Sequence, residues 1–265
     1  MNMKKTLKIY RLLLVQNIKT LMEYRIDFLT GALSFIIDQA VGIGFIFIIF
    51  SQIPQLAGFT LEQIVFIYGF SLIPKGLDHM FTDNLWSVGY FIVQKGDFDK
   101  YLTRPIDPLF HIIAEKFQID AAGELIMGIA LVCVSAGAAN VVFTPLSVLF
   151  FIIAIIFASL IYTAIKIGTA ALAFWIKVSG QITQVFYMTN EFAKYPTTIY
   201  SDFIRTVITY IVPFAFTGYY PCLYFLTGEN PLFNIGGVVA VATILLLIAL
   251  SIWKRGLKAY ESAGS

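Results

Sequence analysis

Between Pro145 and about Trp175 a single charge, Lys166, interrupts an otherwise apolar run. A helix that crosses a bilayer needs about 20 such residues, and this stretch is long for one span, so it tilts or continues beyond the lipid. Five more runs read the same way: roughly Phe28 to Phe50, Leu61 to Phe81, Phe110 or later to Ala138, Phe203 to about Phe225, and Phe233 to Trp253. The third is polar in its first half, with Glu115, Lys116, Asp120 and Glu124, so its embedded part is expected to begin near Ala121. The 265 residues are 58% hydrophobic and 13% charged, against about 25% charged in soluble domains. The expectation is an all-α integral membrane fold of six transmembrane helices, a single domain over 1–265 with its bundle at 28–255.

Cations alternate along this frame. Six Lys/Arg precede the first run, Lys95, Lys100 and Arg104 fall between the second and third, Lys177 and Lys194 lie between the fourth and fifth with Arg205 close by at the start of the fifth, and Lys254, Arg255 and Lys258 follow the last. The other connections carry none. Because positive charge is retained on the cytoplasmic side, both termini are expected to be cytoplasmic, with 256–265 as a cytoplasmic tail. Over 1–27, Leu7, Tyr10, Leu14, Ile18 and Leu21 recur at helical spacing with Lys5, Lys8, Gln16, Lys19 and Glu23 largely opposite. That is an N-terminal amphipathic helix lying on the membrane surface. The short run LLLV breaks at Gln16 and Asn17 with no small-residue cleavage site after it, so the segment is expected to be retained.

Catalytic signatures are missing. There is no G-x-x-x-x-G-K-[ST] phosphate loop, no H-E-x-x-H, no Cys/His cluster and no G-x-S-x-G elbow. Cys133 and Cys222 are far apart and apolar in setting, and His79 and His111 read as interfacial. No metal, no cofactor held by this chain and no nucleic-acid partner is expected, and the chain is not read as an enzyme. Charges inside the runs are costly in lipid, at least about 2.5 kcal/mol each. Asp38 stands in the first run between apolar neighbours and is a possible translocation-path residue or a carboxylate paired inside the bundle; Lys75, Asp78 and His79 near the end of the second read as snorkelling to the interface. A gradient-driven secondary transporter or channel using Asp38 and Glu124 is the alternative reading. Pro213 falls inside the fifth run, and the Tyr/Gly/Pro-rich stretch 217–231 after it is either a re-entrant hairpin or a helix end with an aromatic belt.

The connection 82–108 is the polar exception. Its core, GDFDKYLTRPIDPLF from Gly96 to Phe110, holds three aspartates, a lysine, an arginine and two prolines. Thr82 or Asp83 is placed to cap a short helix before it. After Gly96 a second short helix is expected, with Phe98, Tyr101 and Leu102 on one side and charges on the other, ended by Pro105 and Pro108. Such a helix suits docking in a protein groove.

The stretch KGDFDKYLTRPIDPLF resembles the L-x-R-P-x-x-P signature between the second and third spans of ABC-2-type transporter permeases, in the branch that pairs an ATPase with two related permeases. The segment from Tyr195 to Pro221 resembles that branch's fifth-span region, and WKRGLKAYESAGS its terminus. The resemblance implies the transmembrane permease subunit of an ATP-driven ABC exporter. It implies a cytoplasmic coupling helix between spans 2 and 3, where Leu102, Arg104, Pro105 and Pro108 match the signature and Asp97, Phe98, Asp99 and Tyr101 lie in or beside the coupling element. It also implies two copies of an ATP-binding ABC subunit, which would hold the ATP and Mg, and a second permease chain, related or identical, within membrane lipid.

Overall fold

The computed structural model describes Val15, Lys19 and residues 25–262. The surface helix expected over 1–27 lies almost wholly outside these. Among the described residues the fold is helical without strands, and a single bridge between Leu56 and Phe59 closes the first turn. The principal helices are α1 (Arg25–Phe50), α2 (Leu61–Thr82), α3 (Asp99–Leu102), α4 (Pro108–Glu115), α5 (Ala122–Ala138), α6 (Pro145–Ala171), α7 (Gly180–Met188), α8 (Tyr219–Thr227) and α9 (Gly237–Ala259).

Local chemistry sets several starts. Thr60 and Gln63 form a reciprocal capping box at the head of α2, as Thr144 and Ser147 do at α6, where Pro145 takes the first helical position. Each box satisfies backbone N–H groups that a helix start otherwise leaves open. Asp107 caps α4 through Phe110 N–H at 2.9 Å, with Pro108 at the first turn. Pro108 therefore opens a helix where the sequence reading had it closing one.

Four stretches are long and apolar enough to cross a membrane: Leu29–Phe50, Ile119–Ala138, Pro145–Ile176 and Leu232–Ala259. The third begins and ends close to the expected limits of its run, the fourth begins at its expected start but continues past Trp253 to Ala259, and the second starts just before Ala121, after the polar segment. Two of the six expected spans are not among them. Helix α2 has the length, 22 residues, but it carries Glu62, Lys75, Asp78 and His79. The fifth expected span is not one helix. Asp202–Thr206 passes into a wider π turn, Val207–Ile211, then breaks at Val212 and Pro213 before a 3₁₀ turn, Phe214–Thr217, and α8. Pro213 has no N–H to donate and cannot continue the preceding helix.

Lipid tails are as apolar as leucine, so helices in a bilayer associate through close packing and polar contacts. The α2–α5 pair illustrates this. A Cβ on Gly128 would lie 2.8 Å from the Gly69 carbonyl oxygen, and one on Gly69 would lie 2.7 Å from the Leu131 Cβ, so the two backbones touch where side chains are absent. Three apolar clusters fill the rest. One gathers α2, α5 and α8 around Phe66, Phe70 and Phe225; one lies around Tyr162, Tyr187 and Phe214; one joins the polar connection to α6 and α9 around Phe98, Phe174 and Trp253. In contrast, α1 leaves Leu33, Ile37, Val41 and Ile48 exposed.

Candidate functional site

Two groups of polar residues stand out from this apolar frame. The first is the connection after α2. The chain runs through Leu85–Ser87 and a π turn, Val88–Ile92, and reverses at Gly96, whose φ of 79° lies in the left-handed region that glycine enters without strain. Helix α3 follows, then an irregular stretch through Arg104 and Pro105, then α4.

This element is anchored from inside. Phe98 is fully buried, with ring centroids 4.8 Å from Phe174, 5.0 Å from Tyr260 and 6.3 Å from Trp253. Tyr101 is 1% exposed, packs edge-on to His111, and donates its hydroxyl to Glu115, which also pairs with Lys100 at 3.4 Å. Burial first, and then Glu115, raises the Tyr101 phenol above its ordinary range. The Asp99 carboxylate accepts from Tyr260 Oη at 3.0 Å and Ser262 Oγ at 2.5 Å. The end of the chain thus closes over α3, and burial together with Asp99 pushes the Tyr260 phenol up to about 12. Arg104 Nη1 lies 2.9 Å from His111 Nε2. Since a guanidinium only donates, that ring nitrogen is the acceptor and the imidazole is neutral. Burial, followed by the Arg104 charge, lowers the His111 pKa.

The expected docking face is therefore divided. Phe98 points into the chain's own aromatic core, where Phe174, Trp253 and Tyr260 offer it a dry partner, and Tyr101 turns in against His111 and Glu115 of α4. Asp97, Leu102, Arg104 and Pro105 face outward, and Pro108 is half-buried at the start of α4. The cap expected at Thr82 or Asp83 does not form, since both side chains turn inward to the second group.

That second group lies between α1, α2, α5, α6 and the segment around α7. Lys166, with none of its side chain exposed, bridges Asp78 at 2.7 Å and Asp83 at 2.8 Å. Asp78 also accepts from Thr82 at 2.6 Å, Thr163 at 2.9 Å and Tyr187 at 2.8 Å, so a fully buried carboxylate is saturated. Next to it, Glu124 holds Lys75 and His79 Nδ1, each at 2.9 Å, and Glu191 binds Lys194 at 2.6 Å with Lys75 at 3.9 Å. The stacked His79 and Tyr187 rings, 5.6 Å apart, join the two halves. Lys75, Asp78 and His79 do not snorkel; they are paired in the interior. Asp78, His79 and Asp83 approach closely enough to be considered as cation ligands, but the Lys166 ammonium already bridges the two carboxylates.

Asp38 lies at the edge of this group. It is exposed on α1, held by Gln39 Nε2 at 2.7 Å, and Gln39 accepts from Tyr68 Oη at 2.9 Å. Lys166, Tyr187, Glu191 and Lys194 are the members that sequence reasoning did not single out for this site. The one available signal was Lys166 standing alone in the longest apolar run.

A family model described as ABC-2 family transporter protein matches residues 36–264. No curated protein matches the chain, and no solved structure does.

Proposed function

From the premise that the chain belongs to the ABC-2 family of transporter proteins and is a membrane permease of an ABC transporter, we propose that it forms half of the path of an ATP-driven exporter and couples to a separate ATPase through 82–108. In this reading six segments cross the bacterial cytoplasmic membrane, α2 and the broken 202–227 segment among them, and both termini are cytoplasmic. Two ATP-binding subunits bind the ATP and Mg, and a second permease chain completes the path. Hydrolysis belongs to the ATP-binding chains.

The observation that carries this reading is the anchored connection. Its outward residues Asp97, Leu102, Arg104 and Pro105 are set on a base that Phe98 and Asp99 tie to α9, the chain's end and the end of α6, and that Tyr101 ties to α4. A push on such a base moves long helices rather than a loose loop, as a rigid-body switch between inward-open and outward-open states requires. Glu124 is committed to Lys75 and His79, which weakens the gradient-driven alternative.

The test is Arg104→Glu in the native assembly, tagged at the C-terminus and recovered in mild detergent. The permease is expected at normal level, with the ATPase lost or its hydrolysis no longer linked to transport. Wild-type assembly and coupling in that variant would remove the docking role.

A further inference from the structure

Where α2 ends, the connection after it, the approach to α5, and α7 enclose a cleft of about 400 Å³ lined by Asp83, Trp86, Tyr90, Lys116, Gln118 and Gln184, among others. That volume suits a small-molecule headgroup. Its charges follow from the buried network. One ammonium, Lys166, faces two carboxylates, Asp78 and Asp83, which leaves that triad one negative charge in excess. Asp78 is sealed away, whereas Asp83 keeps 18% of its side chain exposed, so the excess is presented in the cleft. Trp86 and Tyr90 stack nearly parallel at 6.0 Å and 18° and form an electron-rich wall of the same cleft. A carboxylate with such a wall favours an alkylammonium group.

The other lining groups have the opposite preference. Lys116 is exposed and has no ion pair among the described residues, and the side-chain amides of Gln118 and Gln184 make no hydrogen bond among them. These are free donors for an anion. Phe91 lines the cleft and is 45% exposed, which gives the cleft an apolar edge. A single cleft offering one carboxylate, one ammonium and an apolar edge is complementary to a zwitterion with an acyl tail.

We propose that this cleft binds a zwitterionic phospholipid headgroup of the phosphoethanolamine type, the ammonium at Asp83 against Trp86 and Tyr90, and the phosphate at Lys116, Gln118 and Gln184. The assignment needs only that the chain resides in a membrane and does not depend on coupling to an ATPase.

The test is native mass spectrometry of the full-length protein, in its purified assembly, with an equimolar mixture of phosphatidylethanolamine and phosphatidylglycerol. Retention of phosphatidylethanolamine is expected to exceed that of phosphatidylglycerol by about tenfold, the factor that corresponds to 1.4 kcal/mol. Lys116→Ala, an exposed change that leaves the buried triad intact, removes the phosphate's ammonium partner and is expected to lower retention of phosphatidylethanolamine severalfold. Phosphatidylethanolamine with brominated acyl chains is expected to quench tryptophan emission in the wild type, and to quench it much less in Trp86→Phe. Equal retention of the two lipids, preference for phosphatidylglycerol, or undiminished retention of phosphatidylethanolamine in Lys116→Ala overturns the proposal. Displacement of the lipid by soluble phosphoethanolamine at equal concentration overturns the lipid as the source and assigns the cleft to a soluble zwitterion.

Discussion

Lys166 satisfies two carboxylates with one ammonium, so its removal strands both. Lys166→Met is expected to destabilise the protein by about 3–5 kcal/mol, the usual cost of leaving a buried charge unpaired. Thermal unfolding in detergent measures this, and the double variant with Asp78→Asn is expected to recover part of the loss; a single variant as stable as wild type would mean that water, not Lys166, satisfies the acids. His111 supplies a pH dependence of defined sign. Its folded pKa lies below its ordinary value of 6.5, so as pH falls the unfolded chain takes up the proton first. Stability from this site is therefore complete above about 6.5 and is lost as pH falls from there toward the folded pKa. Protonation also removes the acceptor for Arg104. Hydrogen exchange over 97–115 is expected to speed up between about pH 7.5 and 5.5 beyond its intrinsic pH dependence, and His111→Gln, which keeps an acceptor without titrating, is expected to flatten that response. None of these pairings was legible in the sequence. Asp83 and Lys166 are 83 residues apart, and no local pattern marks two charges as partners across that separation.

At the scale of elements, apolar length was legible and packing direction was not. The α6 run has nearly the limits, and the α9 run nearly the start, that composition predicts, because a bilayer imposes a simple requirement on them. Pro213 was readable as an interruption of the fifth span, but the π turn before it and the 3₁₀ turn after it arise from contacts with Tyr162, Tyr187 and Tyr220 that no spacing encodes. The α3 stretch shows the same limit. Its apolar face was visible in Phe98, Tyr101 and Leu102, yet only the fold reveals that α9 and the chain's end cover Phe98 while α4 takes Tyr101. The Tyr260–Asp99 bond holds that cover in place. Tyr260→Phe is expected to cost about 1 kcal/mol, with faster exchange at 96–103 and unchanged exchange in α2; uniform loosening of the whole protein would assign the hydroxyl a general role instead. Close helix approach gives another test. Gly128→Leu must displace the Gly69 carbonyl, so a severe loss of folded yield is expected, whereas Gly137→Leu, with open space around its position, is expected to fold normally.

For the whole molecule, the exposed apolar side of α1 and the exposed Asp38 upon it are where the proposed second permease would pack. Ile37→Cys in a background lacking Cys133 and Cys222 is expected to crosslink between chains in native membranes; a strictly monomeric product would move that interface elsewhere. The all-helical membrane class and the polar connection were legible because lipid leaves few alternatives to a chain so apolar. The paired interior was not, since it exists only once distant helices meet. That dependence bears on biogenesis. Helix α2 is too polar to count among the four apolar spans, and the lysine that pairs with its Asp78, and with Asp83 just beyond it, arrives 83 residues after Asp83. At 5–20 residues per second the ribosome needs roughly 4–17 s to supply it. If α2 crosses the bilayer as proposed, it has no stable place in the hydrocarbon by itself during that interval, and a nascent chain halted before Lys166 should leave α2 at the translocon or in the hands of a membrane chaperone.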